Sequence, residues 1–319
     1  MQMIHFLGVD VSQDWFDVAI FGSAKPAQFQ NNEAGFAAFA QHCVDLDWSK
    51  CFVVVEATGG YETRLLRYLI AQGAHVHRAT PLHAKHFIRS LGLKAKTDKI
   101  DALALARYAV ERHAELPVFV FPDEEQSAFN DLMMRRGDLV AFAAAEKARA
   151  SQPRYKDAAS SVMQSIEAML GFIEAQIAAI EAELDALVEA SPTLSRRIET
   201  LRTVKGVGRL SAYALQAFMP ELGTLTRRTA ASLAGCAPHP RDSGIKNRKR
   251  SVFGGRGTVK RMLFLAAMTA RRYEPALKAF FEKLVATGKP KMVALTALMR
   301  KIIVIANARL KELNLQSTW

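Results

Sequence analysis

Cys51-Phe52-Val53-Val54-Val55-Glu56-Ala57 decides the fold class. A continuous apolar run, dense in β-branched residues, is a strand buried on both faces. Such strands occur where helices cover both sides of a parallel sheet. Glu56 stands at its C-terminal end. Upstream, Ile4 to Val11 is a second buried run, with Asp10 at or near its middle. Trp15 to Phe21 alternates imperfectly and follows through a tight Ser12-Gln13-Asp14 turn. Ala27 to Asn31 completes an antiparallel set. Asn32 caps a helix whose apolar face includes Phe36, Phe39 and Val44. Downstream, Thr58-Gly59-Gly60 turns into a helix carrying Leu65, Leu66, Leu69 and Ile70, and His75 to Ala79 is a fifth strand.

The next strongly helical stretch is Lys94 to Ala109, Lys-Ala-Lys-Thr-Asp-Lys-Ile-Asp-Ala-Leu-Ala-Leu-Ala-Arg-Tyr-Ala. Thr97 or Asp98 suits its N-cap. The order β-β-β-α-β-α-β-α is that of a ribonuclease H-like domain, so the expected class is α/β followed by helices. Asp98 and Asp101 share one helix face, about 5–6 Å apart at Cβ. Taken alone they read as a cap and a solvated acid. A buried Asp on a first strand, however, is costly unless it is paired or holds a metal. In this topology Asp10, Glu56, Asp98 and Asp101 converge on one pocket. Four hard carboxylates suit Mg²⁺ or Mn²⁺. They can hold two such ions about 4 Å apart, the clamp used for in-line phosphoryl transfer.

The chain has 319 residues, half of them hydrophobic, and a formal charge of +12. Its length suggests two domains or three. That charge selects a polyanion partner, nucleic acid before an anionic membrane surface. Cys43, Cys51 and Cys236 lack CxxC spacing and read as buried apolar residues of a reducing compartment. Met1 to His5 has no signal-peptide character, and no stretch reaches the roughly 18 apolar residues of a membrane span. A cytoplasmic, membrane-free protein is expected.

Residues 114–125 carry Pro117 and Pro122 and read as a linker. Ile166, Leu170, Ile173, Ile177, Ile180, Leu184 and Leu187 then step by four and three, a heptad seam. The seam serves either a coiled-coil dimer or a hairpin with the chain's own helix bearing Phe129, Leu132, Met133 and Leu139. Ser191-Pro192 ends it. Leu201 to Leu215 fits a helix-hairpin-helix element. Gly206 and Gly208 shape its turn beside Lys205, and the second helix offers free N–H groups to a phosphate. Such elements grip the backbone and read no sequence. After a helix over 227–235 comes an irregular basic segment with Arg241, Ser243, Lys246, Arg248, Lys249 and Arg250, followed by Arg256, Lys260 and Arg261. These cations suit phosphates. For Ser243 itself, His239 is the one evident base nearby. Helices over 258–272, 274–287 and 291–313 close the chain. The expected domains are 1–115, 124–190 and 195–319.

These stretches together resemble the insertion-sequence transposase family called IS-one-ten, related to the Piv-type DNA invertases. The matching stretches are Gly-Val-Asp10-Val, Val-Glu56-Ala-Thr-Gly-Gly-Tyr and Lys-Thr-Asp98-Lys-Ile-Asp101-Ala in the first half. In the second half they are Val-Lys-Gly-Val-Gly, Leu-Ala-Gly-Cys-Ala-Pro, Arg-Asp-Ser243-Gly and Gly-Thr-Val-Lys-Arg-Met-Leu-Phe-Leu-Ala-Ala-Met. Ile245 follows the Ser-Gly pair where many relatives have a small polar residue. The resemblance implies a RuvC-like domain whose Asp-Glu-Asp-Asp set is Asp10, Glu56, Asp98 and Asp101, and a catalytic serine at Ser243. It also implies a structured non-coding guide RNA that pairs with donor and target DNA.

The resulting expectation is a recombinase, a homo-oligomer of two or four copies, that cuts and rejoins DNA through a metal-assisted phosphoserine. Arg241, Arg248 and Lys249 are the candidates to neutralise the phosphate. The rival readings are a metal-dependent nuclease or junction resolvase using water, and a non-catalytic nucleic-acid-binding protein.

Overall fold

The chain folds as two compact units, Met1–Phe121 and Pro122–Trp319. The computed structural model describes residues 2–23, 25–92, 98–156, 160–239 and 251–316.

The first unit runs β1 (His5–Val11), β2 (Trp15–Ile20), β3 (Ala27–Gln30), α1 (Glu33–His42), β4 (Cys51–Glu56), α2 (Thr63–Ala71), β5 (His75–Ala79), α3 (Pro81–Ser90) and α4 (Asp98–Arg112). Its mixed sheet has the order β3-β2-β1-β4-β5. β1, β4 and β5 are parallel, while β2 and β3 run antiparallel beside β1. β4 is central and five of its six residues are buried, as its unbroken apolar run requires. Odd-numbered residues Leu7, Val9, Val53 and Val55 pack against Phe36 and Phe39 of α1 and Leu65, Leu66 and Leu69 of α2. Even-numbered Phe52 and Val54 face Ala84 of α3 and Leu105, Tyr108 and Ala109 of α4. The period-2 alternation of strands thus sends Gly8, Asp10 and Glu56 to the α4 side.

α3 is an element the sequence reading omitted. Its Thr80 cap and Pro81 start follow helix-start rules, but Ala84 alone is buried on it, so no apolar stripe announces it. The expected linker is also more than a tether. The Phe119 N–H donates to the Val76 carbonyl at 2.6 Å. Phe119 and Phe121 pack on the α1–α2 core, and the Arg67 guanidinium lies 4.5 Å from the Phe121 ring centre. Asp10 is the sixth of seven residues in β1, not its middle, and is only half-buried. The helix of the acidic pair begins at Asp98, and Thr97 lies outside the described residues.

The second unit is nearly all helical. It runs α5 (Glu124–Ala150), α6 (Pro153–Lys156), α7 (Ser160–Ala190), α8 (Pro192–Arg202), α9 (Arg209–Phe218), α10 (Arg227–Leu233), β6 (Pro238–His239), β7 (Ser251–Val252), α11 (Gly257–Tyr273), α12 (Pro275–Ala286) and α13 (Lys291–Gln316). Among the described residues, no helix is long and apolar enough to cross a membrane. All three cysteines are free and buried.

The heptad seam packs inside the chain. Ile173, Ile180 and Leu184 of α7 share a core with Phe129, Met133 and Leu139 of α5. The polar links Arg136–Glu181, Lys147–Glu174 and Ser191–Glu125 climb α5 as they descend α7, so the two helices are antiparallel. Of the two expected uses of the seam, the structure has the hairpin. A 3.5-residue repeat specifies a packed stripe and leaves the owner of the facing helix open.

Leu184 is completely buried in this hairpin. Leu184→Ala should therefore cost the second unit about 2–5 kcal/mol. Its thermal midpoint should fall by an amount independent of protein concentration, because the partner helix belongs to the same chain. A loss that appears only on dilution would mean that the seam is filled by another copy.

Candidate functional site

The site is built where α4 meets β1. Gly8 has no side chain, and a Cβ placed there would collide with the backbone of Ala102, Leu105 and Ala106 of α4. Ala102 and Ala106 then lie against Ala19 of β2. Small residues on both surfaces let the helix seat directly on the strands. Two residues along β1, on the same face, is Asp10. One turn before Leu105, on the same helix face, is Asp101, and one turn before that is Asp98. Glu56 ends β4, one step beyond the Val9–Val55 pair, and so neighbours Asp10 across the parallel ladder.

The electrostatics follow from this placement. Asp10 is pushed up to about 7 by burial first, then by the negative charges of Glu56, Asp98, Asp101 and Asp17. Asp101 is buried and Asp98 exposed. Glu56, Asp98 and Asp101 are thus each within electrostatic reach of Asp10.

Asp17 is a fifth that the sequence reading missed. It pairs with Asp10 in the β1–β2 register and is only 3% exposed. Its Oδ2 accepts from Gln28 Nε2 at 3.0 Å, while its Oδ1 is buried with no hydrogen-bond partner. A register count across the Ser12–Asp14 turn would have found it.

This orphaned carboxylate oxygen, beside an all-oxygen, all-anionic set, fits a hard divalent cation. Asp10, Glu56, Asp98 and Asp101 are the carboxylates that could hold one. Among the described residues, no three such side chains are already close enough to enclose an ion.

A second omitted carboxylate braces the loop after Glu56. Glu62 is fully buried, and its Oε2 accepts the N–H groups of Thr58 and Gly60, both at 3.0 Å. Its Oε1 accepts from Arg78 Nε at 2.8 Å. Burial alone would raise its pKa. The hydrogen bonds from its own backbone N–H, from Arg78 and from Thr58 outweigh that effect and hold it below the usual range. Thr58-Gly59-Gly60-Tyr61 is thereby held at the end of β4 by a permanent anion.

The expected nucleic-acid contacts fall in the second unit. Lys205 is exposed in the turn between α8 and α9. Gly206 has φ of 90°, and a Cβ there would strike Ala266 and Ala270 of α11, so it must be glycine for two reasons. Gly208 precedes α9 without any side-chain cap, leaving N–H groups of that helix uncapped. Arg209 beside it is tied to Glu181 and Asp185.

Arg256 is committed to Glu221 at 2.6 Å and to the Phe218 carbonyl. Lys260 is half-buried and Arg261 exposed on the first turn of α11. Arg241, Ser243, Lys246, Arg248, Lys249 and Arg250 lie outside the described residues. The described flanks of that segment are joined by the β6–β7 ladder, Pro238 opposite Val252 and His239 opposite Ser251.

Comparison with known proteins finds two family matches. Residues 7–152 match a family described as a transposase, of the DEDD, IS110 type, and residues 198–282 match the transposase IS116/IS110/IS902 family. The chain is 26% identical over 320 residues to the pilin gene-inverting proteins of Moraxella bovis and Moraxella lacunata, covering 96% of this chain and 96% of each. It is 31% identical over 130 residues to an uncharacterized 43.6 kDa protein of insertion element IS110 from Streptomyces coelicolor, covering 40% of this chain and 31% of that protein.

Asp10→Asn removes one charge from the carboxylate cluster and should raise the melting temperature of the protein in chelator. A carboxyl whose folded pKa is raised binds its proton more tightly when folded, so its contribution to stability falls as pH rises from its unfolded value, about 4, to about 7. The gain from Asn should therefore grow between pH 5 and pH 8. Destabilisation at both values would assign Asp10 a purely structural role.

Proposed function

Because this chain belongs to the IS110 family of transposases, we propose that it cuts and rejoins DNA by a metal-assisted route with Ser243 as nucleophile. The chain is a DNA transposase/recombinase, its substrate is DNA, and its DEDD-type domain implies a divalent metal. In this reading the first unit is a RuvC-like domain and the ion is Mg²⁺ or Mn²⁺. The observation that carries the proposal is the placement of Glu56 beside Asp10 across the β1–β4 ladder, with α4, whose first turn bears Asp98 and Asp101, seated on Gly8 two residues away.

A bound divalent ion supplies charge that polarises the scissile phosphate. Asp10, Glu56, Asp98 and Asp101 would hold that ion, and Asp17 backs Asp10 from the neighbouring strand. Ser243 Oγ forms a bond to phosphorus as the bond from phosphorus to the deoxyribose oxygen breaks. The serine proton leaves, and the departing oxygen is protonated. Arg241, Arg248 and Lys249 neutralise the charge that builds on the phosphate. A hydroxyl of the exchanged strand reverses the step, so the phosphodiester is rebuilt without ATP.

Lys205, Gly206 and Gly208, with Lys246, Arg250, Arg256, Lys260 and Arg261, grip the sugar–phosphate backbone. Arg256 does so only by giving up Glu221. The family resemblance adds a structured guide RNA pairing with donor and target, and the formal charge of +12 is compatible with it. Met169 and Phe172 of α7 and Phe142 of α5 are at least half exposed outside the hairpin core, which supports a homo-oligomer of two or four copies.

Ser243→Ala tests the nucleophile. DNA binding should survive and strand exchange should vanish. Wild-type protein on a nicked substrate should give a denaturant-resistant adduct, and mass spectrometry should place it on the Ser243 peptide. Cleavage by the alanine variant at close to the wild-type rate, with no adduct in either protein, would assign the attack to water.

A further inference from the structure

The C-terminal end of α11 and the face of α12 enclose a groove of about 630 Å³ that no expected contact uses. Arg271, Arg272, Tyr273, Lys278, Phe281 and Glu282 are among its lining residues. Arg271 lies 5.0 Å from the centre of the Phe281 ring, and Arg272 lies 5.3 Å from the centre of the Tyr273 ring. Among the described residues, neither guanidinium has a carboxylate partner within ion-pair distance. Both are held in place by aromatic rings, with their N–H groups left for another acceptor. The one acid of the groove, Glu282, is countered by Lys278 at 4.0 Å.

Tyr273 is 70% exposed. Cations in a last helical turn are commonplace, since they face the negative end of the helix. That explains neither an aromatic ring left in solvent nor a groove of this volume beside it.

We propose that this groove binds an unpaired nucleotide of a single-stranded nucleic acid. Its base stacks on the face of Tyr273 opposite Arg272. Its phosphates lie against Arg271, Arg272 and Lys278. A planar ring with a cation behind it is a stacking platform for any base. Bases within a duplex are already stacked on their neighbours and have no free face to offer. The proposal rests on the reading of this chain as a nucleic-acid recombinase and adds a strand-selective subsite to it.

The test is fluorescence anisotropy of the full chain with three labelled probes of equal length: oligothymidine, oligouridine and a DNA duplex. Tyr273→Ala should weaken single-strand binding about 5- to 150-fold, the loss of one stacked base, and leave duplex binding within twofold. Tyr273→Phe keeps the ring and should bind like wild type. Arg271→Ala and Arg272→Ala should each lower the salt dependence of single-strand binding by about one phosphate contact. Tyr273 is exposed, so its truncation leaves the fold intact, which a melting curve verifies. A larger effect with oligouridine than with oligothymidine identifies RNA as the occupant, and the reverse identifies DNA. Unchanged single-strand affinity in Tyr273→Ala, or an equal loss for duplex, overturns the proposal. If the wild-type chain bound none of the three probes, the recombinase reading itself would fall.

Discussion

The first unit depends on the contact between the bare backbone of Gly8 and helix α4. Helix and sheet usually keep a layer of side chains between them. Here Gly8, Ala19, Ala102 and Ala106 remove most of that layer. The helix comes down far enough for a strand period of two and a helix period of three to four to turn Asp98 and Asp101 toward the side of the sheet that carries Asp10 and Glu56. The same approach buries Leu105 completely, so burial of apolar surface helps to hold the charges together. Repulsion among the acids is thereby balanced by packing a few residues away.

That balance has a cost at the site itself. Asp10 sits near 7 because burial and its anionic neighbours penalise its charge, and Asp17 keeps a buried oxygen without a partner. A fold selected only for stability would neutralise such groups. Holding them in a charged, half-closed arrangement is what a cation-dependent centre requires. Glu62 shows the opposite treatment only a few residues from Glu56. It is fully buried, yet Arg78 and two loop N–H groups satisfy it, and it acts as a fixed brace. Two carboxylates so close in sequence differ in burial and in partners.

Much of this was legible in the sequence because it rests on local periodicity. The apolar run of β4, the Asn32 cap and the 98–101 spacing are visible without any long-range knowledge. Helix α3 was not, since a helix lying on the surface with one buried residue has no stripe to read. Asp17 was hidden because its place comes from a strand register and not from its neighbours. The α7 seam was read correctly as a packed stripe, while the choice between its two possible partners, a second copy and the chain's own α5, needed three dimensions. The basic cations looked alike in sequence. The structure separates Arg256, spent on Glu221, from Arg271 and Arg272, held by rings and facing a groove.

If the acids hold a cation as proposed, the seat of α4 on Gly8 is what places them to do so. The most direct measurement is calorimetric titration of Mn²⁺ into the Gly8→Ala variant and the wild type, alongside their melting curves. An added methyl must push α4 off β1, at a cost of about 1–3 kcal/mol. Gly8→Ala should still melt cooperatively but bind Mn²⁺ at least tenfold more weakly. Wild-type Mn²⁺ affinity in Gly8→Ala would contradict it.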